Sequence, residues 1–428
     1  MASCIVGSEM CIRDRGNSHG KISSYTEMGL INHQALKEKA RSIPIRKLIK
    51  KAGNALQVLK PCFLMSPLSV AQYIEPDGLK FDLLIIDEAS QMRPEDALGA
   101  IARSNQFIVV GDPKQLPPTN FFNKQSSNDI DLDDEDIIDN ESILDLAMGR
   151  FRPTRDLRWH YRSRHESLIA YSNAQFYDNR LIVFPSPEEK SENFGVRYSY
   201  VKGIYKSSCN ILEAEAIVSA AKKFMKQFPE KSLGIVTVNS SQRDLIDEEI
   251  NMLFQNDNAA NKYRDKWLEE RGGLESFFVK NLESVQGDER DAIFVSTVYG
   301  PDKNGSVMQR FGPINGKFGH RRLNVLFTRA KHNLNIFTSL RPDNIQTSEN
   351  SALGLKAFKG FLEFAHSGRL ESGVETGREP DSDFEISVIE KLEALGCEVI
   401  PQVGVAGFFI DLGVKHRKYP YGFMLGIE

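Results

Sequence analysis

The segment Leu83-Leu84-Ile85-Ile86-Asp87-Glu88-Ala89-Ser90 decides how the rest of the chain is interpreted. Its four apolar residues predict a buried strand, and two adjacent carboxylates follow that strand directly. Ligands of open α/β sheets bind beyond the carboxyl ends of the strands, which is where Asp87 and Glu88 would lie. There the first acid can hold Mg²⁺ through its water shell, and the second can polarise an attacking water. A strand that ends in Asp-Glu also arises by chance, so this segment alone leaves both interpretations open.

Other short apolar runs alternate with helical stretches, which predicts βαβ units and parallel sheets with covered faces. A helical pattern covers residues 33–60, and Pro61 breaks it before a short buried strand at Cys62–Ser66. Later helices are expected near Leu355–Phe364 and at 383–395. The remaining predicted strands are Phe81–Ile86, Gln106–Val110, Gly234–Val238, Phe277–Val279, Ala292–Ser296 and Leu334–Thr338.

Composition excludes several classes of protein. With 54 Lys+Arg against 58 Asp+Glu, the formal charge of -4 excludes a globally basic, histone-like nucleic-acid binder, although not a locally basic channel. The five cysteines form no C-x-x-C pair, which argues against a zinc site or a disulfide framework. No apolar run approaches the ~20 residues of a membrane span, so we expect a cytoplasmic protein. The acidic stretch from Asp129 to Glu141 is interpreted as a solvated surface loop rather than a metal site.

A second motif follows the next predicted strand, Gly111-Asp112-Pro113-Lys114-Gln115-Leu116-Pro117-Pro118. Its glycine and prolines predict a rigid turn, and Gln115 is a neutral side chain able to sense a phosphate oxygen or the water beside it. The Asp-Glu-Ala-Ser segment followed by this turn resembles motifs II and III of superfamily 1 helicases, in the branch that generally moves 5′ to 3′. The resemblance extends over roughly residues 33–340.

The resemblance supplies the remaining motifs in order, and with them the expected roles of further residues. In the motif IV-like segment 157–163, Arg162 would reach the γ-phosphate and Tyr161 would stack on adenine. In the motif V-like segment 283–291, Gly287 would allow close approach to phosphate and Glu289 would accept a hydrogen bond from the ribose. Arg329, in the motif VI-like segment 322–331, would be the arginine finger. The segment 234–242 resembles the strand and loop that touch nucleic acid in this family.

Each motif also has an ordinary structural explanation when it is taken singly. Arg162 or Arg329 could lie in a surface salt bridge, and Gln286-Gly287 could be a simple turn. Their shared order and spacing is what favours the helicase interpretation.

One expected element is missing, because the sequence contains no G-x-x-x-x-G-K-[ST] phosphate-binding loop. The nearest candidate, Gly16–Ser23, has its glycines one residue too close and places Ile22 where a hydroxyl must bind Mg²⁺. Residues 6–15 resemble the conceptual translation of a sequencing adaptor, the alternative being an ordinary N-terminal tail. We therefore expect a chain that is truncated at its start and that neither hydrolyses ATP nor unwinds DNA by itself.

The last segment carries a second pattern. Glu385 lies on a predicted helix, Asp411 follows an apolar run, and Glu428 closes the next one. Convergent carboxylates can hold one or two Mg²⁺ ions that activate water for phosphodiester cleavage. The pattern resembles the opening of a PD-(D/E)xK nuclease of the very-short-patch-repair type, cut off before its site is complete. The alternative is an α/β domain whose acids are merely surface residues.

Together these observations predict an α/β protein with two RecA-like parallel-sheet domains, the first truncated, and the start of a restriction-endonuclease-like domain. The expected function is ATP-driven movement on single-stranded or forked DNA with an appended nuclease, in DNA repair or defence, with ATP and Mg²⁺ as cofactors. An RNA substrate and a non-hydrolysing scaffold are the alternatives. The expected segments are 1–15 (adaptor), 16–150 (first domain), 151–345 (second domain), 346–380 (connector) and 381–428 (nuclease-like).

Overall fold

The computed structural model describes residues 26–35, 43–118, 142–184, 186, 194–368, 380, 382–405, 408–417 and 423–428. The adaptor-like segment, the candidate loop Gly16–Ser23 and the acidic stretch from Asp129 to Glu141 lie outside the described residues. The described chain forms two compact units that divide after Thr154, except that Lys114–Leu116 belong with the larger, later unit. The finer division into five segments stays a prediction.

The smaller unit is built on two parallel strands, β1 (Phe81–Ile86) and β2 (Ser104–Val109), which were both predicted to within two residues. A small core beneath them contains Ile86, Ala89, Ala97, Ile143 and Leu144. Several apolar side chains of the strands are nevertheless exposed, Ile85 by 60%. The helices of this unit are α1 (Glu27–Ala35), α2 (Ile45–Leu59), α3 (Pro67–Tyr73), α4 (Pro94–Ile101) and α5 (Ile143–Arg150).

Two predictions for this unit are wrong. Residues 33–60 do not form one helix, because Ile43 and Pro44 are not helical and α2 begins after the proline, whose ring is tolerated at a helix start but not inside one. Cys62–Ser66 forms no buried strand, and Leu64 is fully exposed. Among the described residues this sheet consists of β1 and β2 alone, so the segment has no ladder to join, and Phe63 is only partly buried, against Phe81.

The larger unit contains a five-stranded parallel sheet in the order β3-β7-β6-β4-β5. The four strands predicted for this region all form, while β3, at the edge, was not predicted because Arg197 and Ser199 interrupt its apolar pattern. The strands are β3 (Gly195–Tyr200), β4 (Leu233–Thr237), β5 (Phe278–Asn281), β6 (Arg290–Ser296) and β7 (Ala330–Thr338). The principal helices are α6 (Ser167–Phe176), α7 (Ile211–Gln227), α8 (Ser240–Asn256), α9 (Asn258–Glu269), α10 (Gly319–Phe327) and α11 (Leu353–Ser367).

Apolar side chains cover both faces of this sheet, as expected for parallel strands. One face packs against α7, α8 and α9 through residues such as Leu233, Ile235 and Phe294. On the other side, Val295 and Ile336 share a small apolar space with residues of α10 and α11. Helix α11 lies in the region expected to be a connector, yet its residues Phe358, Phe361 and Leu362 are buried. It is therefore part of the packed unit.

The last described segment forms a three-stranded antiparallel sheet, in the order β10-β9-β8, with one helix. Helix α12 (Asp383–Ala394) packs against β8 (Cys397–Val405) and β9 (Phe408–His416) around Val399, Leu412 and Val414. The third strand is β10 (Leu425–Ile427). The observed architecture is α/β with parallel sheets in both units, as predicted. Within the described residues, no helix combines the length and apolarity that crossing a bilayer requires.

Candidate active site

Asp87 and Glu88 lie directly after β1 and are both exposed. The Glu88 N–H donates to Asp87 Oδ1 at 2.9 Å, and Gln91 Nε2 donates to Glu88 Oε2 at 3.1 Å. Glu88 has a left-handed backbone, with φ 52° and ψ 38°, which is an uncommon conformation for a residue with a side chain. The turn is held because the Ala89 N–H donates to the carbonyl of Val110, beyond the end of β2.

Gly111 allows the second motif to pass close to this turn. A Cβ atom at this position would lie 3.0 Å from the backbone nitrogen of Ser90 and 3.1 Å from that of Ala89. Backbone atoms cannot move aside as a flexible side chain can, so the glycine is needed for the close approach of the two motifs. The structure thus brings together the ends of β1 and β2 and places the two carboxylates at the carboxyl edge of this sheet.

Gln115 belongs to the larger unit by its contacts. Its Oε1 accepts a hydrogen bond from Gln286 Nε2 at 3.4 Å, and the neighbouring carbonyl of Lys114 accepts one from Asn324 Nδ2 at 3.2 Å. Gln286 is in the motif V-like segment and Asn324 is in the motif VI-like segment. Three motifs that are far apart in sequence therefore meet within one unit.

Arg162 and Glu289 form an ion pair in the larger unit, with 2.7 Å between Nε and Oε2. Lys331 Nζ lies 3.2 Å from the other oxygen of Glu289 and 2.8 Å from Glu275 Oε1. Partial burial opposes ionisation of Glu289, but Lys331 and Arg162 outweigh it and lower the pKa of that carboxyl. Burial likewise opposes the charge on Lys331, whereas Glu275 and Glu289 raise its pKa. The four side chains form a continuous charged row.

This row lines a cleft of about 580 Å³ in the larger unit. Tyr161, whose side chain is 86% exposed, borders the same cleft. The wall also includes Arg164, Trp267, Asp291 and His332. An exposed aromatic ring beside a guanidinium and carboxylates can take a planar base, a phosphate and a hydroxylated sugar, respectively.

His160 sets the turn that carries Tyr161 and Arg162. Its Nε2 accepts the Ser163 N–H at 3.1 Å and lies 2.9 Å from Ser163 Oγ. Burial, and then the charge of Arg162, lower the pKa of His160 to about 4, so its ring is neutral near pH 7. Sequence reasoning missed this residue, although a histidine and a serine three apart in a turn were a usable signal.

Arg329 differs from Arg162 in its surroundings. Its side chain is 4% exposed, Nε donates to the Val325 carbonyl at 2.8 Å, and a terminal nitrogen donates to Thr328 Oγ1 at 3.3 Å. It thus binds the last turn of α10, and it is not among the residues that line the cleft. Gly287 has φ 88°, which an L side chain rarely adopts, although a Cβ there would meet open space. Glycine is therefore favoured at position 287 by the backbone conformation and not by a lack of space.

The three acids of the last segment are not gathered into one cluster. Among the described residues, no group of three or more His, Cys, Asp or Glu side chains is close enough to hold a metal ion. Leu412 pairs with Ile427, and continuing this antiparallel register places Asp411 opposite Glu428. Leu412 and Ile427 pack with α12, so Asp411 and Glu428 lie on the opposite face of the sheet. Glu385 is on α12 itself, where Oε1 accepts from Ser382 Oγ at 2.8 Å.

The donor set in the smaller unit suits a magnesium ion that arrives with a nucleotide. Mg²⁺ commonly takes one or two carboxylates together with phosphate oxygens and water, rather than a cage of protein ligands. Asp87 offers such a carboxylate at a strand end. The sequence predicted roles for Asp87, Arg162 and Glu289, but it did not indicate Lys331 or Glu275.

Comparisons with known proteins agree with the fold class and the motifs. Two models described as AAA domain match residues 63–122 and 140–341. An uncharacterized ATP-dependent helicase, MG140 of Mycoplasma genitalium, is 32% identical over 391 residues, covering 87% of this chain and 34% of that protein. Its homolog in Mycoplasma pneumoniae is 33% identical, covering 73% of this chain and 28% of that protein. The chain thus spans about a third of the length of the curated relatives it matches.

Among solved structures, an arterivirus nonstructural protein 10 helicase in complex with DNA matches at 12% identity and a TM-score of 0.28. That match covers 61% of this chain and 41% of the viral one. A score this low leaves the fold assignment to the sheet topology described above. The AAA-domain matches and the helicase relatives support a superfamily 1 helicase.

Proposed function

We propose that the chain is part of an ATP-dependent helicase that couples ATP hydrolysis to movement along single-stranded DNA. The observation that carries the proposal is that the neighbouring residues Tyr161 and Arg162 meet Glu289, which is distant in sequence, around one cleft of the larger unit. The names of the relatives support it, since both are described as ATP-dependent helicases.

Each site residue has a proposed role in this reaction. Asp87 would hold a Mg²⁺ ion, which supplies charge neutralisation at the phosphates, and Glu88 would act as general base toward the attacking water. Tyr161 would stack on the adenine, while Glu289 would accept from a ribose hydroxyl. Gly287 would let the backbone approach phosphate closely.

The remaining residues would connect chemistry to movement. Arg162 would stabilise negative charge on the transferring phosphoryl group. Arg329 would assist as the arginine finger, which requires its guanidinium to exchange the Val325 and Thr328 contacts for phosphate. Gln115 would sense the γ-phosphate and pass this state to Gln286, its hydrogen-bond partner.

We further propose that residues 1–428 bind ATP and single-stranded DNA without turning ATP over. The support is that the sequence contains no G-x-x-x-x-G-K-[ST] loop, whose backbone N–H groups and lysine neutralise the β- and γ-phosphates in this class of enzyme. Measurable DNA-stimulated ATP hydrolysis by the purified chain would contradict this part of the proposal.

Calorimetric titration of the chain with ATP and Mg²⁺ tests the cleft. Arg162→Ala and Tyr161→Ala should each weaken ATP binding by about tenfold, since each removes a charge-assisted or stacking contact. Arg264→Ala is the matched control, because Arg264 is paired with Asp265 on α9 and does not line the cleft. Equal ATP affinity in the wild type and in both cleft variants would disprove this use of the cleft.

Binding of labelled oligonucleotides tests the nucleic-acid part. We expect tighter binding to single-stranded DNA than to RNA of the same sequence, and the reverse order would favour the RNA alternative. Binding of neither, with ATP binding intact, would favour an ATP-binding scaffold outside nucleic-acid metabolism.

For residues 382–428 we propose a role in metal-dependent nuclease chemistry. The shared face of Asp411 and Glu428 supports it, whereas the position of Glu385 on α12 does not add a third ligand. Terbium luminescence is a direct probe of metal binding. Asp411→Asn and Glu428→Gln should each abolish the luminescence of bound terbium, and Glu385→Gln should preserve it. Luminescence that is unchanged in all three variants would overturn the proposal.

A further inference from the structure

Glu213 is a fully buried acid that the proposed reaction does not use. It lies in the first turn of α7, and its carboxylate receives four hydrogen bonds. Oε1 accepts from Asn210 Nδ2 at 3.1 Å and from the Ser339 N–H at 2.7 Å. Oε2 accepts from Ser296 Oγ at 2.8 Å and from the Val298 N–H at 2.9 Å.

Asn210 precedes α7, and the other three donors come from the ends of two strands. Ser296 closes β6, Val298 is in the loop after it, and Ser339 directly follows β7. Gln242, in the first turn of α8 after β4, joins the same network: it donates to the carbonyl of Asn210 at 2.9 Å and to Ser296 Oγ at 3.2 Å. The carboxyl ends of β6 and β7 are thus linked through one buried carboxylate, and Gln242 joins α8 to this network through Asn210 and Ser296.

The loops around this carboxylate are held in demanding conformations. Val298 has φ 69°, a left-handed value that is costly for a β-branched residue and persists only when its surroundings enforce it. A Cβ on Gly203 would lie 2.1 Å from Asn210 Oδ1, so the loop after β3 also packs directly on the network. The network therefore determines loop geometry and not only the packing of α7.

Stability alone is a poor explanation for a carboxylate at this position. Burial raises the pKa of Glu213 to about 7, against the pull of hydrogen bonds from Ser296, Ser339 and Val298. Apolar residues of similar volume commonly stabilise a core as well as a buried ionic group does, whereas a buried polar group can fix one conformation. Burial, then Tyr200 and to a smaller extent Glu213, raise the pKa of Tyr198 on β3 to about 12, so this neighbouring group stays protonated near pH 7.

The loops that Glu213 connects carry local positive charge. The segments 201–210, 297–318 and 339–345 follow β3, β6 and β7 and contain six exposed basic residues against two acidic ones. Such an excess at the carboxyl edge of a parallel sheet suits a phosphate backbone. The basic residues are Lys202, Lys206, Lys303, Arg310, Lys317 and Arg341, and the acids are Asp302 and Asp343.

We propose that Glu213 is a positioning residue whose carboxylate sets the shape of the loops after β3, β6 and β7 and thereby the affinity of the larger unit for single-stranded nucleic acid. The inference rests on the proposed function, because it assigns the strand-binding surface of the same protein. Glu213 touches no strand itself and acts through the backbone of Val298 and Ser339.

The decisive variant is Glu213→Gln, which keeps the size of the side chain but places an amide NH₂ against donors. We expect the affinity for a single-stranded oligonucleotide to fall by about tenfold, as unmatched buried donors distort the loops. ATP binding should not change. Glu215→Gln is the matched control, since Glu215 is exposed on the same helix. A folded Glu213→Gln chain with wild-type DNA affinity would overturn the proposal, and so would equal losses of DNA and ATP binding.

Two further measurements keep the test conclusive. Between pH 6 and 8 the DNA affinity of the wild type should rise relative to that of Glu213→Gln, whereas Glu215→Gln should follow the wild type. If Glu213→Gln does not fold, Ser296→Ala decides, because it removes one donor and should lower affinity by a smaller factor; unchanged affinity contradicts the proposal.

Hydrogen exchange separates this inference from the proposed function. Should the wild-type chain bind no nucleic acid at all, the proposed function fails while the positioning role can still be measured. Glu213→Gln should then speed amide exchange at Val298 and Ser339 and leave the β4 amides unchanged. Uniform acceleration, or none, would contradict the positioning role.

Discussion

The two carboxyl edges of the molecule hold their polar residues in different ways. In the smaller unit, Asp87 and Glu88 are exposed, and their positions follow from a left-handed turn and the close approach at Gly111. In the larger unit, a buried carboxylate with four hydrogen-bond donors links the strand ends, and a row of ion pairs lines the cleft. The first edge depends on backbone geometry and the second on tertiary packing, so substitutions should affect them differently.

The largest expected difference is in the strands beneath the two edges. Ile293 on β6 is fully buried, whereas Ile85 on β1 is 60% exposed. Ile293→Ala should lower the free energy of unfolding of the larger unit by about 3–4 kcal/mol, because it removes buried methyl groups and leaves a cavity. Ile85→Ala should cost less than about 1 kcal/mol. Urea denaturation of both variants checks this, and similar costs would remove the contrast between the units.

The second prediction concerns the pH dependence of the larger unit. The pKa of Glu213 is raised to about 7 in the folded state, so the stability it contributes is fully present below pH 4.5 and is lost as pH rises through about 7. The loss is on the order of 3 kcal/mol for a fully buried group. The free energy of unfolding of the wild type, minus that of Glu213→Gln, should therefore fall between pH 4.5 and 7. A flat difference would show that the buried carboxylate does not titrate.

The features that could be predicted from the sequence are those set by neighbouring residues, whereas those set by tertiary packing could not. Strands β1, β4 and β6 were predictable because each contains a short apolar run of the kind that parallel strands carry, even though part of β1 is exposed. The candidate acids and Arg162 were predictable because their neighbours in sequence carry the motif. Glu213 was not, since its identity depends on donors from other elements, and on a helix it resembles any solvated acid. Cys62–Ser66 misled because an apolar run implies a strand only where a ladder exists to receive it.

His160 provides a third, smaller effect with the opposite sign. Its pKa is lowered to about 4 by burial and by Arg162, so its contribution to stability is present above pH 6.5 and is lost as pH falls toward 4. His160→Gln should remove an acid-side loss of about 2 kcal/mol, with partial exposure reducing the effect. Glu213 and His160 change the free energy of unfolding in opposite directions over a shared pH range, so the two variants are needed to separate their contributions. An unaltered acid slope in His160→Gln would contradict this assignment.

The smallest effect returns to the edge of the smaller unit and separates stability from chemistry. Glu88 holds φ at 52°, a value that glycine adopts without a penalty. Glu88→Gly should raise the stability of the smaller unit by about 1 kcal/mol, whereas Glu88→Ala, which keeps the strained backbone, should leave it nearly unchanged. Thermal unfolding of the three chains checks this, and we expect a higher unfolding temperature for Glu88→Gly than for the wild type or Glu88→Ala. If Glu88→Ala stabilised the unit as much as Glu88→Gly, the destabilising effect in the wild type would be charge repulsion between Glu88 and Asp87 and not backbone strain. The expected order would instead mean that a candidate catalytic carboxylate is retained although it lowers the stability of the smaller unit. The acids of the larger unit differ, because Glu213 and Glu289 are held by hydrogen bonds and ion pairs and not by a strained backbone.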